Sequence, residues 1–182
     1  MVRRRLLFLG VLISFLCCII KPSIGFANNN RNNYNKNNEL VIKDSFLCKN
    51  QTRGFENALG IPTHLLTAIS LAESGRWDKT NQALFAWPWT IMVNGKHYYL
   101  PSKESAIDKV HILQSRAVKN IDVGCMQVNL DNHPKAFEDL EAAFDPERNV
   151  GYAANFLAAL NQTTLSWPQA TANYHSTNLS QN

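Results

Sequence analysis

The sequence predicts a mainly α domain with one small β-hairpin, on three observations. Apolar residues recur at three- and four-residue intervals through most of the chain after Leu40, the spacing that lays them along one face of a helix. Helix start signals, Ser102 and Asp145-Pro146 among them, stand directly before such stretches. The pair Asn94-Gly95 sits between two short runs rich in aromatic and branched residues, and Asn-Gly is the strongest short hairpin signal because its tight turn needs positive φ at both central residues.

Taken in order, the first helix is expected between Phe46 and Leu59, burying Phe46, Leu47, Phe55 and Leu59 beside Cys48, with Gly54 as an interruption. The second runs within Gly60 to Trp77. Pro62 suits its first turn, where a missing N–H is harmless, and Gly75 suits a left-handed stop. Leu65, Leu66, Ile69 and Ala72 form its buried stripe. Trp87 to Val93 and Lys96 to Leu100 make the hairpin, and Pro101 ends it. Ser102 caps a helix in which Ala106, Val110, Leu113 and Ala117 share a face. Ala136, Phe137, Leu140 and Phe144 share a face of the next helix. Asp145-Pro146 opens another through Val150, Ala153, Leu157 and Leu160, and Ser166-Trp167-Pro168 leads into a last one over Gln169 to His175.

One residue breaks the apolar pattern of the second helix. Glu73 follows Ile69 by four positions and Leu66 by seven, so it falls on the stripe that points to the core. Burial and the negative end of the helix dipole both disfavour its ionisation. A carboxylic acid held protonated near neutral pH can serve as a general acid. The same spacing also fits an exposed helix end at which Glu73 pairs with Arg76 at i+3, and the residues leave both readings open.

A chain of 182 residues is long enough for one domain with a sizeable core and short for two. Its formal net charge is +4, yet four of the 18 Lys and Arg (Arg3, Arg4, Arg5 and Lys21) fall in a first segment without acids, which leaves the remainder balanced against its 14 acids. A balanced domain lacks the basic surplus that marks a nucleic-acid partner. The first segment, residues 1–27, has a basic start, an apolar run from Leu6 to Ile20 and a small-residue exit at Gly25-Phe26-Ala27. That is a signal-peptide pattern, and the run is short for a membrane span, which needs roughly 20 residues. Residues 28–39 are an Asn-rich tract, too polar to bury an apolar face, and read as a linker before a folded domain over 40–182.

Export to an oxidising compartment, the periplasm, removes Cys17 and Cys18 with the signal and leaves Cys48 and Cys125. These form one disulfide or remain two buried thiols. A bridge would close a loop of about 78 residues, for which the chain-entropy model gives roughly 4 to 5 kcal/mol.

No cofactor, metal or phosphate signature is present in the sequence. His64, His97, His111, His133 and His175 contain no close pair at ligand spacing, and no glycine-rich loop precedes a helix; the histidines read as surface or packing residues. No serine stands in a nucleophile-elbow pattern. Trp77, Trp87, Trp89, Tyr98 and Tyr99 cluster just after Glu73, either as flat faces for sugar rings or as packing that fixes the hairpin to the helices.

Four stretches resemble, in order, the motifs of one family: Gly60 to Arg76 with its Glu73-Ser74 pair, Gly124-Cys125-Met126-Gln127-Val128-Asn129, Asp145-Pro146 to Asn149-Val150 followed by Ala153, and Ala172 to Ser176. They are similar to those of the lytic transglycosylase catalytic domain, which is itself similar to goose-type lysozyme, and the resemblance spans roughly Cys48 to Ser176. It implies a lysozyme-like, goose-type, mainly α fold that cleaves peptidoglycan between N-acetylmuramic acid and N-acetylglucosamine. It also implies Glu73 as the single acid/base, Ser74 beside it orienting the reacting groups, Met126 and Gln127 lining the sugar groove, and Tyr174 closing on the glutamate from the last helix.

Hydrolysis by the usual routes needs a second carboxylate, and the motifs supply one clear candidate only. The resemblance implies instead that the 6-hydroxyl of the muramic acid attacks intramolecularly and leaves a 1,6-anhydro product. Asp122 is the best spare carboxylate and reads as support for the loop before Met126. Two departures stand out: His175 occupies a position where many members have asparagine, and the chain ends at Asn182, soon after the last motif, where relatives often continue. The functions in view are an exported enzyme that opens the wall, for turnover or for a secretion or motility apparatus, a hydrolysing muramidase, and a wall-binding protein that keeps the groove without turnover.

The first segment predicts a mature chain beginning at Asn28. Mass spectrometry of the exported protein checks it, and a product that retains Met1 to Ile20 rules it out.

Overall fold

A computed structural model describes residues 43–179; the signal-peptide and linker readings lie outside that range. The described elements are α1 (Leu47–Leu59), α2 (Leu65–Ser74), β1 (Gly75–Asp78), β2 (Ala83–Ala86), β3 (Thr90–Val93), β4 (Lys96–Tyr99), α3 (Lys103–Ser115), β5 (Asp122–Val123), β6 (Val128–Asn129), α4 (Leu140–Ala143), α5 (Pro146–Thr164) and α6 (Trp167–Leu179). The architecture is mainly α, and its β part extends beyond a single hairpin. β1 pairs with β2, and a second sheet runs in the order β4-β3-β5-β6. Among the described residues no helix is long and apolar enough to cross a membrane.

α1 carries Gly54 without a break and ends at Gly60 in a left-handed cap. Its buried face differs from the expected one. Phe46 and Leu59 are exposed, and the buried positions are Cys48, Thr52 and Glu56 at helical spacing. Glu56 is buried because it serves the next helix: its Oε2 accepts from the His64 N–H at 2.9 Å and its Oε1 from the Thr67 N–H at 3.0 Å. A carboxylate there satisfies first-turn donors and faces the positive end of the helix dipole. This cap sets the start of α2 at Leu65, so Pro62 lies before the helix and not in its first turn.

Gly75 is not a left-handed stop either. Its φ of −61° and ψ of 124° are extended, and the chain passes from α2 directly into β1. Glycine is required there for space, because a Cβ would lie 2.2 Å from the Leu71 carbonyl oxygen. Leu66 and Ile69 form the buried stripe of α2, Leu65 is half-buried, and Ala72 faces out.

Asn94 and Gly95, at φ 51° and 69°, turn β3 into β4. The strands are shorter than expected, and the side chains of Trp87 and Trp89 turn into the core, where Trp87 Nε1 donates to the Leu100 carbonyl at 2.7 Å and Trp89 Nε1 to Asp44 Oδ2 at 3.0 Å. Ser102 caps α3, its Oγ accepting from the Ser105 N–H at 3.2 Å. Ala106 and Val110 are buried on α3, whereas Ala117 lies past its end, exposed at φ 57°. Instead of a helix from Ala136 there are turns up to Asp139, whose Oδ1 accepts from the Ala142 N–H at 2.8 Å and starts the short α4. Asp145 starts α5 in the same way, accepting from the Arg148 N–H at 3.0 Å.

Two apolar clusters result. One lies among α1, α2, α5 and α6, with Leu66, Met126, Val150, Leu157 and Tyr174 buried. The other lies between the four-stranded sheet and α3, with Trp87, Ile91, Val110, Val123 and Phe144 buried. The connection from β5 to β6, residues 124–127, passes from the second cluster to the first.

Candidate active site

The 124–127 turn is a closely held segment of backbone. Gly124 has φ 82°, and a Cβ there would lie 2.4 Å from Asn149 Nδ2, so the position admits glycine on both grounds. The Asn149 side chain, fully buried on α5, replaces the hydrogen bonds the turn cannot make with itself. Its Oδ1 accepts from the Met126 N–H at 2.9 Å, and its Nδ2 donates to the Val123 and Ala143 carbonyls at 3.0 and 2.9 Å. Cys125 is bonded to Cys48 of α1, with the Cα atoms 5.5 Å apart, and its carbonyl accepts from Ser70 Oγ at 2.9 Å. Tyr174 of α6 donates its hydroxyl to the Met126 carbonyl at 2.9 Å.

These contacts place the residues expected in the site. Ser74 is fully buried with its Oγ 2.8 Å from the Cys125 carbonyl and 3.0 Å from the Ser70 carbonyl, so its hydroxyl ties α2 to the turn. Met126 and Gln127 are 0% and 1% exposed and lie beneath the surface instead of lining an open groove. Gln127 takes φ 48° and donates from Nε2 to the Gly124 and Thr90 carbonyls at 2.8 and 3.1 Å. Tyr174 is buried at 2% exposure.

Glu73, next to the end of α2, keeps 13% of its side chain exposed, and its Oε1 lies 3.3 Å from Nδ1 of His175 on α6. Burial raises its pKa, and the hydrogen bond and charge of His175, then the charge of His97, oppose that rise. Of the two readings the residues left open, the pairing with Arg76 does not occur: that guanidinium stacks 4.2 Å over the Trp87 ring. The residues missed at the sequence level are His97 and His175, read as surface or packing histidines. Both face the acid.

The four-stranded sheet supplies the opposite side of the site. Because side chains alternate between faces, the cross-strand partners Met92, His97 and Asp122 share one face with Thr90 and Tyr99, while Ile91, Tyr98 and Val123 share the core face. His97 and Tyr99 stack with ring centroids 6.1 Å apart, and the Tyr99 hydroxyl donates to the Gly75 carbonyl at 2.7 Å. Of the aromatic group after Glu73, Trp87 and Trp89 are packing residues, and Trp77 and Tyr99 are exposed.

Asp122 is buried on this face. Its pKa is pushed up to about 7, chiefly by burial, with the charges of Glu73 and Asp131 adding to the rise and a hydrogen bond from Asn129 Nδ2 at 2.6 Å opposing it. Among the described residues no group of three His, Cys, Asp or Glu side chains could hold a metal ion. A cleft of about 850 Å³, lined by Phe55, Phe137, Glu138, Arg148 and Tyr152 among others, lies against α1 and α5 and includes none of the residues around Glu73.

Compared with known families, the model of the transglycosylase SLT domain matches residues 92–181. The match covers Met92, His97, Tyr99 and Asp122 of the sheet face, the 124–127 turn, Asn149, Tyr174 and His175, and begins after Glu73. No curated protein and no solved structure matches the chain.

The raised pKa of Asp122 has a consequence for stability. Between its ordinary value of 3.8 and about 7 the folded chain binds more protons than the unfolded one, so this group lowers stability as pH rises through that window. Asp122→Asn keeps the shape and an acceptor for Asn129, and should flatten the decline by roughly a few kcal/mol. Urea unfolding of both proteins at about pH 4, 5.5 and 7 measures it; equal slopes would mean that Asp122 is ionised without penalty.

Proposed function

We propose that this chain, whose residues 92–181 match the transglycosylase SLT domain, is an exported lytic transglycosylase that cuts the β-1,4 bond between N-acetylmuramic acid and N-acetylglucosamine and leaves a 1,6-anhydro-muramic acid end. The family implies peptidoglycan as substrate and strand cleavage as activity in a lysozyme-like fold. The observation that carries the finer reading is the state of the two carboxylates.

Glu73 is partly exposed with a raised pKa, the condition for a general acid. Asp122 is 2% exposed, hydrogen-bonded to Asn129 and shifted to about 7. A nucleophile or a base must be ionised and must reach the sugar or a water. Asp122 is poorly suited to either part, which disfavours the hydrolysing muramidase and leaves one working carboxyl. In the proposed reaction Glu73 gives its proton to the bridging oxygen as the bond to C1 of the muramic acid breaks. The 6-hydroxyl of the same sugar then forms a bond to C1 and returns its proton to the Glu73 carboxylate. One group serves both steps, and no water is consumed.

Met126, Gln127 and Tyr174 support the groove from below in this reading, and the exposed faces of His97 and Tyr99 border it. The Cys48 to Cys125 bond is the kind of link that an oxidising compartment sustains. That supports the periplasm, where opening of the wall serves turnover or the passage of a secretion or motility apparatus.

Glu73→Gln tests the reading against a wall-binding protein without turnover. The amide keeps the shape but cannot deliver a proton, so release of muropeptides from purified sacculi should fall by roughly 10⁴-fold or more, one group being lost from two steps. Binding to sacculi and the unfolding midpoint should stay near those of the wild type. Turnover within about threefold of wild type would move the catalytic group elsewhere.

A further inference from the structure

His175 has no part in the reaction as written, although it is in hydrogen-bond contact with the acid. We propose that His175 is a positioning residue for Glu73: from α6 its Nδ1, 3.3 Å from Glu73 Oε1, holds the carboxyl at the groove, and the charge on its imidazole governs how firmly Glu73 keeps its proton. The inference rests on the transglycosylase reading for its meaning in turnover, and on geometry for the contact itself.

Placement comes first. His175 follows Tyr174, which is buried and anchored through its hydroxyl to the Met126 carbonyl at 2.9 Å. The same turn is tied to α2 by the Ser70 and Ser74 hydroxyls on the Cys125 carbonyl. Glu73 and His175 are therefore held by opposite ends of one braced assembly, 102 positions apart in sequence.

Exposure is the second element. The histidine side chain is 60% exposed and that of Glu73 13%, so the shielded acid has a partner that is open to solvent. The groups facing Glu73 are His97 from β4, Asp122 from β5 and, on α6, His175 beside Tyr174. His97 and Asp122 act through space, whereas His175 touches.

A neutral imidazole leaves burial to dominate, and burial keeps the proton on Glu73. A charged imidazole donates to the carboxylate and favours its ionised form. Over the proposed cycle Glu73 loses one proton to the bridging oxygen and regains one from the 6-hydroxyl, and His175 ends as it began. Its effect is to stabilise the carboxylate between the two steps, at the expense of the acid form needed to begin.

Asparagine can hydrogen-bond to Glu73 but bears no charge. In His175→Asn the Glu73 carboxyl should titrate at higher pH than in wild type. Carbon-13 NMR of protein labelled at the glutamate carboxyls reads this directly, with the Glu73 signal assigned by its loss in Glu73→Gln. The ratio of muropeptide release at about pH 8 to that at about pH 6 should fall by roughly twofold or more in the same variant, because the charged imidazole that draws the proton off Glu73 is favoured at the lower pH.

His97→Asn, which removes charge without contact, should move the titration less. A Glu73 titration that is unchanged or lower in His175→Asn, or moved equally by His97→Asn, would overturn the proposal. Failure of the wild type to release any product would instead count against the transglycosylase reading, and the carboxyl titration would still decide the role of His175.

Discussion

The Asn149 side chain is the constraint on which the rest of the site depends. The turn between β5 and β6 brings backbone donors and acceptors into the protein interior, where an unmet hydrogen bond costs roughly 1–3 kcal/mol. Asn149 meets the Met126 N–H of the turn and the Val123 carbonyl that leads into it, and ties both to the Ala143 carbonyl at the end of α4, and the absence of a side chain at Gly124 lets it approach. A side chain at Gly124 or an apolar residue at Asn149 would push the turn out of the core and release what is attached to it.

Much is attached. Cys125 carries the covalent link to α1 and the carbonyl that receives Ser70 and Ser74, so the turn sets the position of α2. Met126 offers its carbonyl to Tyr174, so the turn also sets α6. Glu73 and His175 meet because both helices are fixed to the same few residues. The strand leading into the turn holds Asp122 on the sheet face that looks toward Glu73. Two carboxylates in a partly dry setting cannot both ionise freely. Burial raises both, but His175 and His97 oppose the rise at Glu73 whereas the charges of Glu73 and Asp131 add to it at Asp122, so the shift falls mainly on Asp122.

Much of this was legible in the sequence, for local reasons. Ser102, Asp145 and Asn94-Gly95 act within three or four residues of themselves, and the structure uses each as its local chemistry dictates. Glu73 was legible because a carboxylate on an apolar stripe violates a local pattern. Where the sequence misled, the deciding contact was distant. Pro62 and Gly75 carry helix-end signals, but Glu56 on the preceding helix sets where α2 begins, and the Leu71 carbonyl sets why glycine is needed after it. Strands of two residues, β5 and β6, have no periodicity to read. The histidines looked bland because the contact between His175 and Glu73 joins the last helix to the second, and no spacing rule reaches that far.

The central claim is that a sugar hydroxyl, and not water, completes the cleavage at Glu73. Digestion of purified sacculi in water enriched in oxygen-18, followed by mass spectrometry of the released muropeptides, tests it most directly. The account predicts muramic acid ends that lack one water and carry no heavy oxygen at C1. Reducing ends that carry the heavy label, at the full rate of strand cleavage, would contradict it.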